Sequence, residues 1–131
     1  MYTVELVRFQ PAPIKQDFSF SEVADVKRVA VQLDDETSII AVADVRGNVC
    51  WGEFLVWRTG GRAHVRVNEH RGYFASYPDT TAAPPGETSF LDDDGSEFHV
   101  PYANTVSVES AKEALLHWLS TGEKTSALRW S

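Results

Sequence analysis

Thiols and long apolar runs are scarce in this chain, and each absence excludes a class of protein. A single cysteine, Cys50, stands among 131 residues, so a disulfide framework is excluded and a reducing compartment is indicated. Apolar runs stay well below the roughly 18 residues of a membrane-spanning helix, and the N-terminus lacks the basic segment and apolar core of a signal peptide. We therefore expect a cytoplasmic protein that does not enter a membrane.

Basic residues are also scarce in this chain. Lysine and arginine total 12 against 19 aspartates and glutamates, which gives a net charge of −7. Proteins that bind nucleic acid directly need Lys and Arg to displace counterions from phosphates, so this balance argues against direct nucleic-acid binding. The same charge attracts a basic partner and speeds its encounter. It suits an inhibitor of a nucleic-acid enzyme.

Motifs of metal and nucleophilic chemistry are missing as well. The four histidines are His64, His70, His99 and His117. Their spacing does not match a metal site. The chain has no H-x-E with P-C-x-x-C of the zinc deaminases, no G-x-S-x-G elbow and no phosphate-binding G-x-x-x-x-G-K-[ST] loop. Cys50 lies in an apolar run and is expected to be a buried, inert thiol. We expect no cofactor, no metal and no catalytic site.

The clearest pattern that is present lies near the C-terminus, in residues 107–130. One helical face is marked by Val108, Ala111, Leu115, Trp118 and Leu119. Ser107 can cap the start of this helix, and Gly122 can end it in the left-handed conformation that glycine adopts most easily. Residues 127–130 are predicted to return to the sheet as a short strand.

The earlier part of the chain predicts an antiparallel meander. Strands are predicted at residues 2–9, 38–45, 49–57, 63–68 and 73–77, and residues 89–91 and 97–100 are predicted to pair across an acidic turn. Residues 10–18, which include Pro11 and Pro13, are predicted to be a connection. Residues 78–88, rich in Pro, Thr, Ala and Gly, are predicted to be an exposed, mobile loop.

A helix is predicted near the N-terminus as well. Ser19 and Glu22 match the S-x-x-E capping box, and apolar residues continue at helical spacing as far as Leu33. A strand at Val29, Val31 and Leu33 is the alternative, since β-branched residues there lower helix propensity and also alternate along the chain. With the helix, residues 1–131 form a single α+β domain in which an antiparallel meander packs against an N-terminal and a C-terminal α-helix.

Residues 99–130 resemble the C-terminal signature of the deaminase-associated immunity proteins of bacterial polymorphic-toxin systems, the first class of such proteins. The shared parts are a proline-containing entry at Pro101, the capped helix ending in an aromatic-leucine pair at Trp118, a Thr-Gly turn at Gly122, and a closing Trp130. Trp118 stands where the family has Phe, and Lys124 begins a turn that usually carries Arg-Pro. The resemblance implies a non-enzymatic inhibitor that binds a cognate toxin domain, a nucleic-acid deaminase or nuclease, as a monomer in a 1:1 heterodimer.

Occlusion of such a toxin needs acidic groups for its basic groove and aromatic groups as anchors. The candidate partner-binding residues are Trp57, Tyr73, Tyr77, Asp79, Asp92, Asp93, Asp94 and Glu97. The acidic run of residues 92–94 can make bidentate contacts with Arg in place of phosphates, or it can simply be a solvated hairpin turn. On a strand, Tyr73 and Phe74 face opposite sides, so one of them is expected to be exposed or to lie under a loop.

Two other function classes stay open on the residues alone. The chain can be an enzyme or small-ligand binder with a pocket between sheet and helix, which would need convergent polar residues with shifted pKa values. It can also be a permanent subunit of a larger assembly, which would need a large exposed apolar patch.

Overall fold

The computed structural model describes residues 1–31, 38–69, 72–78 and 85–131, and within 72–78 it describes the backbone alone. The fold of this part of the chain is α+β, as predicted. The elements are β1 (Tyr2–Arg8), β2 (Ile14–Phe20), α1 (Val23–Ala30), β3 (Ile39–Arg46), β4 (Val49–Thr59), β5 (Arg62–Glu69), β6 (Gly72–Pro78), β7 (Glu87–Leu91), β8 (Glu97–Pro101), a 3-10 turn (Tyr102–Asn104), β9 (Val106–Ser107), α2 (Val108–Thr121) and β10 (Leu128–Trp130).

The described strands form one large sheet and one small one. The large sheet has eight strands, in the order β10-β6-β5-β4-β3-β1-β2, with β9 paired to β5. From β3 to β6 each strand pairs antiparallel with the next, which confirms the predicted meander. The predicted pairing across the acidic turn is also confirmed, but β7 and β8 form a separate two-stranded sheet.

The two described helices pack on one face of the large sheet, which we call the inner face. Its core takes alternate residues of the strands, such as Val42, Phe54 and Val65, and joins them to Leu115 and Trp118 of α2. This alternation follows from the strand period of two. Trp118 packs 5.6 Å from the ring of Phe54. It also lies over Gly52, where a Cβ would come within 3.3 Å of the indole.

The ends of α2 are as predicted. Ser107 accepts a hydrogen bond from the backbone N–H of Ser110 at 3.1 Å, which satisfies a donor of the first turn. Gly122 ends the helix with φ at 75°. The strand β10 then pairs with β6 from Leu128 opposite Pro78 to Trp130 opposite Ser76, which confirms the return to the sheet.

Two predictions for the N-terminal region were wrong. Most of the predicted connection is the edge strand β2, which pairs with β1 from Tyr2 opposite Phe20 to Arg8 opposite Ile14. The capping box is also wrong, because Ser19 lies inside β2. The helix α1 starts after Glu22, whose side chain makes no capping hydrogen bond. Pairing with β1 satisfies the backbone of β2, so a largely exposed strand can form without an apolar pattern.

The structure tests only parts of two further predictions, the alternative strand near the N-terminus and the loop over residues 78–88. Val29 lies in α1, so the alternative strand is wrong there, and Leu33 lies outside the described residues. The loop predicted over residues 78–88 ends earlier than predicted, because β7 begins at Glu87. Residues 79–84 of the predicted loop lie outside the described residues.

The prediction of a buried thiol was wrong. Cys50 is exposed, and its thiol donates a long contact to the carbonyl of Gly52 at 3.5 Å. The first residues of β4, Val49 to Trp51, are all exposed at the hairpin end of the strand. An apolar run therefore does not mark a buried segment when it lies at the end of a strand.

Candidate functional site

The hairpin of β7 and β8 covers one end of the other sheet face, which we call the outer face. Strand residues on this face have the opposite parity to those of the inner core, so Trp57 points outward while Val56 points toward the helices. Under the hairpin lies a second core, made of Val7, Ile39, Trp57, Phe90 and Val100. We call this part of the outer face the covered end.

Antiparallel pairing arranges the outer face in cross-strand rows. The first row, under the hairpin, is Lys15, Val7, Ile39, Trp57 and His64. The second row is Asp17, Glu5, Ala41, Leu55 and Arg66. The third row is Ser19, Thr3, Ala43, Glu53 and Asn68. The first row is mainly apolar and aromatic, whereas the next two carry small and charged residues.

His64 is a buried polar group at the covered end, with 4% of its surface exposed. Its Nδ1 lies 3.2 Å from the carbonyl oxygen of Asn104, and its Nε2 accepts a hydrogen bond of 2.9 Å from Arg66 Nε. These partners fit a neutral imidazole with its proton on Nδ1. Burial lowers the pKa of His64, and the Arg66 charge lowers it further, against the opposing hydrogen bond to Asn104. His64 is thus a satisfied core residue.

The acidic turn, Asp92 to Ser96 at the tip of the hairpin, is held by its own hydrogen bonds. The backbone N–H of Asp92 donates to Ser96 at 2.8 Å, and that of Gly95 donates to Asp92 at 2.9 Å. Oδ1 of Asp94 accepts from the backbone N–H of Ser96 at 2.8 Å and from its hydroxyl at 2.5 Å. These hydrogen bonds from Ser96 lower the pKa of Asp94. The turn is therefore held by its own hydrogen bonds, and those from Ser96 favour the ionised form of Asp94.

Trp57 ties this turn to the second core. Its indole N–H donates to Asp92 Oδ1 at 3.3 Å. Phe98 packs edge-on to the indole at 5.6 Å, and the Arg66 guanidinium lies 4.9 Å from the indole centroid. The position of Asp92 is thus fixed by packing beneath the hairpin.

The carboxylates of Asp92, Asp93 and Asp94 have oxygens within 4.8 Å of one another, a spacing that would suit a cation. Oxygens of Asp92 and Asp94 already accept hydrogen bonds from the protein, and Asp93 and Asp94 are exposed. The Glu that completes a calcium loop is missing from the sequence. We therefore assign no metal to this turn.

Beyond the hairpin, rows two and three surround a shallow groove of about 290 Å³ on the outer face. We call this region the open end. Ala41 and Ala43 line the groove, and its carboxylates come from Glu5, Asp17 and Glu53. Lys15 Nζ lies 3.2 Å from Glu5, and Asn68 Nδ2 donates to Glu53 at 3.2 Å. The open end is therefore a small-residue surface edged with carboxylates.

The amino-acid sequence also matches a known family. The family model of the immunity protein Imm1 matches residues 15–131. The chain belongs to the Imm1 family of immunity proteins. This match confirms that the C-terminal third of the chain resembles a family of immunity proteins, and an immunity protein implies a toxin as its partner. No curated protein matches the chain. Neither helix among the described residues of this Imm1 protein is long and apolar enough to cross a membrane.

The sequence-predicted partner residues of this Imm1 protein differ in location and in exposure. Asp92, Asp93 and Asp94 lie together in the acidic turn. Glu97 is exposed at the start of β8, 3.5 Å from His99. Trp57, predicted to bind the partner, is only 6% exposed and lies beneath the hairpin, so it does not present an exposed ring to a partner. Its contact with Asp92 gives it a positioning role instead.

Three other predicted partner residues, all in or after β6, are described in part or not at all. The backbone register places Tyr73 opposite Asn68, which continues the third row, and Tyr77 opposite Arg129. Asp79 lies outside the described residues.

Sequence reasoning missed the carboxylates of the open end. Glu5 alternates with Val4 and Leu6 in a recognised strand, so its outward direction was readable from the sequence. The place of Asp17 on the outer face was not predicted, because residues 10–18 were interpreted as a connection. The neighbourhood of Glu53 depends on strand register, for which the sequence gives no direct signal.

A larger cleft of about 720 Å³ lies at the C-terminal end of α2, on the inner side of the sheet. Tyr2, Trp51 and Trp118 contribute aromatic walls to it. Two of its charged groups pair with each other, since Arg46 lies 3.1 Å from Asp44, and Arg46 also stacks 5.0 Å from the Trp51 ring. Burial raises the pKa of Tyr2, and Asp44 raises it further. This Imm1 protein therefore has a concave site between sheet and helix as well as its outer face.

Proposed function

We propose that this Imm1 protein neutralises a nucleic-acid-acting toxin, a deaminase or a nuclease, by covering its active site. The observation that carries the proposal is the acidic turn. Its carboxylates project from an ordered hairpin tip and are anchored through Asp92 to the indole of Trp57. A preorganised acidic turn loses less conformational entropy on binding than a flexible one.

The chemistry of the partner supports this assignment. A toxin that acts on nucleic acid needs a basic groove to hold phosphates. Carboxylates accept bidentate hydrogen bonds from arginine, as phosphates do. Asp92, Asp93 and Asp94 are therefore suited to take the place of the phosphate backbone in that groove. The net charge of −7 would also steer a basic toxin toward this protein.

The mechanism is steric and electrostatic occlusion, and it needs no catalytic step in the immunity protein. The complex is one-to-one and forms in the cytoplasm, where the toxin would otherwise act. Tyr73, Tyr77, Asp79 and Glu97 are proposed as further contacts with the toxin.

The direct test is association with the cognate toxin domain, measured by stopped-flow at several salt concentrations. The triple variant D92N/D93N/D94N should slow association about tenfold and flatten its salt dependence, because electrostatic steering acts mainly on the association rate. Growth of cells that express the toxin should fall in parallel.

The matched control is E109Q/E113Q/E123Q, which removes the same number of charges from exposed positions on α2 and just after it. This control should change association far less. Equal slowing by both variants would mean that net charge, and not the acidic turn, drives the encounter.

Small-ligand binding is a second candidate, favoured by the cleft at the end of α2. Its volume of about 720 Å³ falls within the range of small-molecule sites, roughly 300–1,000 Å³. Mass spectrometry of the protein purified from its own cells tests this candidate. A stoichiometric metabolite that is lost in a Trp51→Ala variant would favour ligand binding over immunity.

A further inference from the structure

The open end of the outer face is a polar surface formed by strands of the large sheet. Its groove is built on β1, β2, β3 and β4, four adjacent strands of the sheet. The hairpin of β7 and β8 seals row one and reaches part of row two, where Leu55 packs against the second core and Arg66 lies 5.6 Å from the Phe98 ring. The residues that line the groove all come from β1 to β4, so within the described part of the chain the hairpin leaves the groove uncovered.

Carboxylates of the open end and of the acidic turn both act on Lys15. Lys15 stands on β2 in the first row, next to Asp17 of the second row. Glu5, Asp17 and Asp93 all act on the Lys15 ammonium group, and Glu5 has the largest effect. The carboxylates of the open end and of the hairpin tip therefore influence the same lysine.

The groove has the size and chemistry for one long basic side chain. At about 290 Å³ it has the volume of about ten water molecules at roughly 30 Å³ each. Ala41 and Ala43 offer a small-residue floor on which the methylene stem of an arginine or lysine can lie, while the charged head stays among carboxylates. Glu53 accepts one described hydrogen bond, from Asn68, and a carboxylate can accept several.

We propose that the open end of the outer face is the docking surface for a basic segment of the partner, with one arginine side chain lying across Ala41 and Ala43. Its guanidinium contacts Glu5 and Asp17, which lie directly opposite each other on β1 and β2, and Lys15 moves aside from Glu5. The side chain of Lys15 is 53% exposed and can swing into solvent. That the partner is the toxin rests on the function proposed above.

Arginine fits this surface better than lysine. A guanidinium is planar and presents a fork of donors, so it can bridge the carboxylates of neighbouring strands. Glu5 and Asp17 are such a pair, whereas Glu53 stands on β4, two strands away from Glu5, at the other side of the groove. A compact ammonium group would meet one carboxylate at a time.

The first test needs no toxin. Hexa-arginine peptide is titrated into the isotopically labelled protein, and amide shifts are mapped by NMR, with hexa-citrulline as the uncharged isosteric control. We expect saturable shifts at Asp17, Ala41, Ala43 and Glu53, and none with citrulline. Shifts confined to the cleft at the end of α2, or spread evenly over all acidic residues, would overturn the proposal.

Paired variants separate location from net charge. D17N/E53Q and E109Q/E113Q remove the same number of negative charges, the first from the open end and the second from exposed positions on α2. The first should weaken peptide binding about tenfold, and the second less than about twofold. Equal weakening would mean that the surface has no particular role.

The second test uses the cognate toxin and a variant that changes shape without changing charge. Ala43→Leu should fill the groove and weaken toxin binding at least about tenfold, by steric exclusion of the arginine stem. Far-UV circular dichroism and the unfolding midpoint check that the variant is folded. The charge variant D17N/E53Q tests toxin binding at the same surface independently.

The outcomes distinguish the docking surface from the function. If the toxin is neutralised equally well by the wild type, Ala43→Leu and D17N/E53Q, the surface is wrong and the function stands. If the wild type neutralises no toxin, the function is wrong, and the peptide map alone decides whether the open end binds arginine.

Discussion

The covered end and the open end of the outer face are built on the same strands, yet they have opposite chemistry. Val7 and Glu5 are two residues apart on β1 and point to the same side of the sheet. Trp57 and Glu53, four residues apart on β4, point to that side as well. Val7 and Trp57 are buried beneath the hairpin, whereas Glu5 and Glu53 line the groove. Strand alternation therefore decides which face a residue belongs to, and the hairpin decides which part of that face is core.

The largest expected effect is at the covered end. Phe90 is 1% exposed and packs 5.8 Å from Phe98, so Phe90→Ala should reduce the free energy of unfolding by about 3–5 kcal/mol. Urea denaturation followed by tryptophan fluorescence measures this loss. Asp17→Asn at the open end should leave the midpoint almost unchanged. Similar losses at both ends would contradict the contrast between them.

A smaller effect is expected for the hydrogen bond that joins the second core to the acidic turn. Trp57→Phe keeps an aromatic ring but removes the indole donor to Asp92. We expect a loss of about 1–2 kcal/mol in unfolding free energy. We also expect faster amide exchange at Asp93 and Gly95, measured by NMR. Unchanged exchange would show that the turn is ordered by its own hydrogen bonds alone.

His64 gives the covered end a dependence on pH. Because its pKa is lowered in the folded state, the unfolded state takes up the proton first as the pH falls. Stability should therefore decline as the pH drops below about 6.5, the unfolded value, and level off below the folded pKa. His64→Gln should remove this part of the pH dependence. The measurement is the urea midpoint between pH 7.5 and 5 for both proteins, and parallel curves would contradict the assignment.

The smallest effect is expected in the acidic turn itself. Hydrogen bonds from Ser96 lower the pKa of Asp94, so the order they give the turn is present above the unfolded pKa and is lost as the pH falls through the folded one. The chemical shift of the Ser96 amide should titrate below the ordinary aspartate pKa of about 3.9. Ser96→Ala should move that titration upward, toward the ordinary value, and an unmoved titration would exclude the hydroxyl as a cause.

The elements that were predicted correctly carry their signals locally. In α2 the apolar period, the Ser107 cap and the Gly122 ending lie in one continuous stretch, so tertiary context was not needed. The meander was readable for the same reason, because each strand pairs with its sequence neighbour. The acidic turn was found because Asp92 to Asp94 are consecutive.

The features that were missed depend on contacts between distant residues. The strand β2 has little apolar pattern of its own and is defined by its pairing with β1. The burial of Trp57 depends on a hairpin that begins some thirty residues later in the chain, at Glu87. Glu5, Asp17 and Glu53 become neighbours through register across several strands. Long-range pairing of this kind leaves no periodic trace in the sequence.

The exposed thiol makes this protein easy to label. Cys50 is the single cysteine of the chain and lies at the hairpin end of β4, seven residues before Trp57. At about 3.3 Å per strand residue, a maleimide dye on Cys50 would stand more than about 20 Å from the covered end. One conjugation reaction, with no background cysteine to remove, would give a fluorescent protein for titrations in which the covered end stays unmodified.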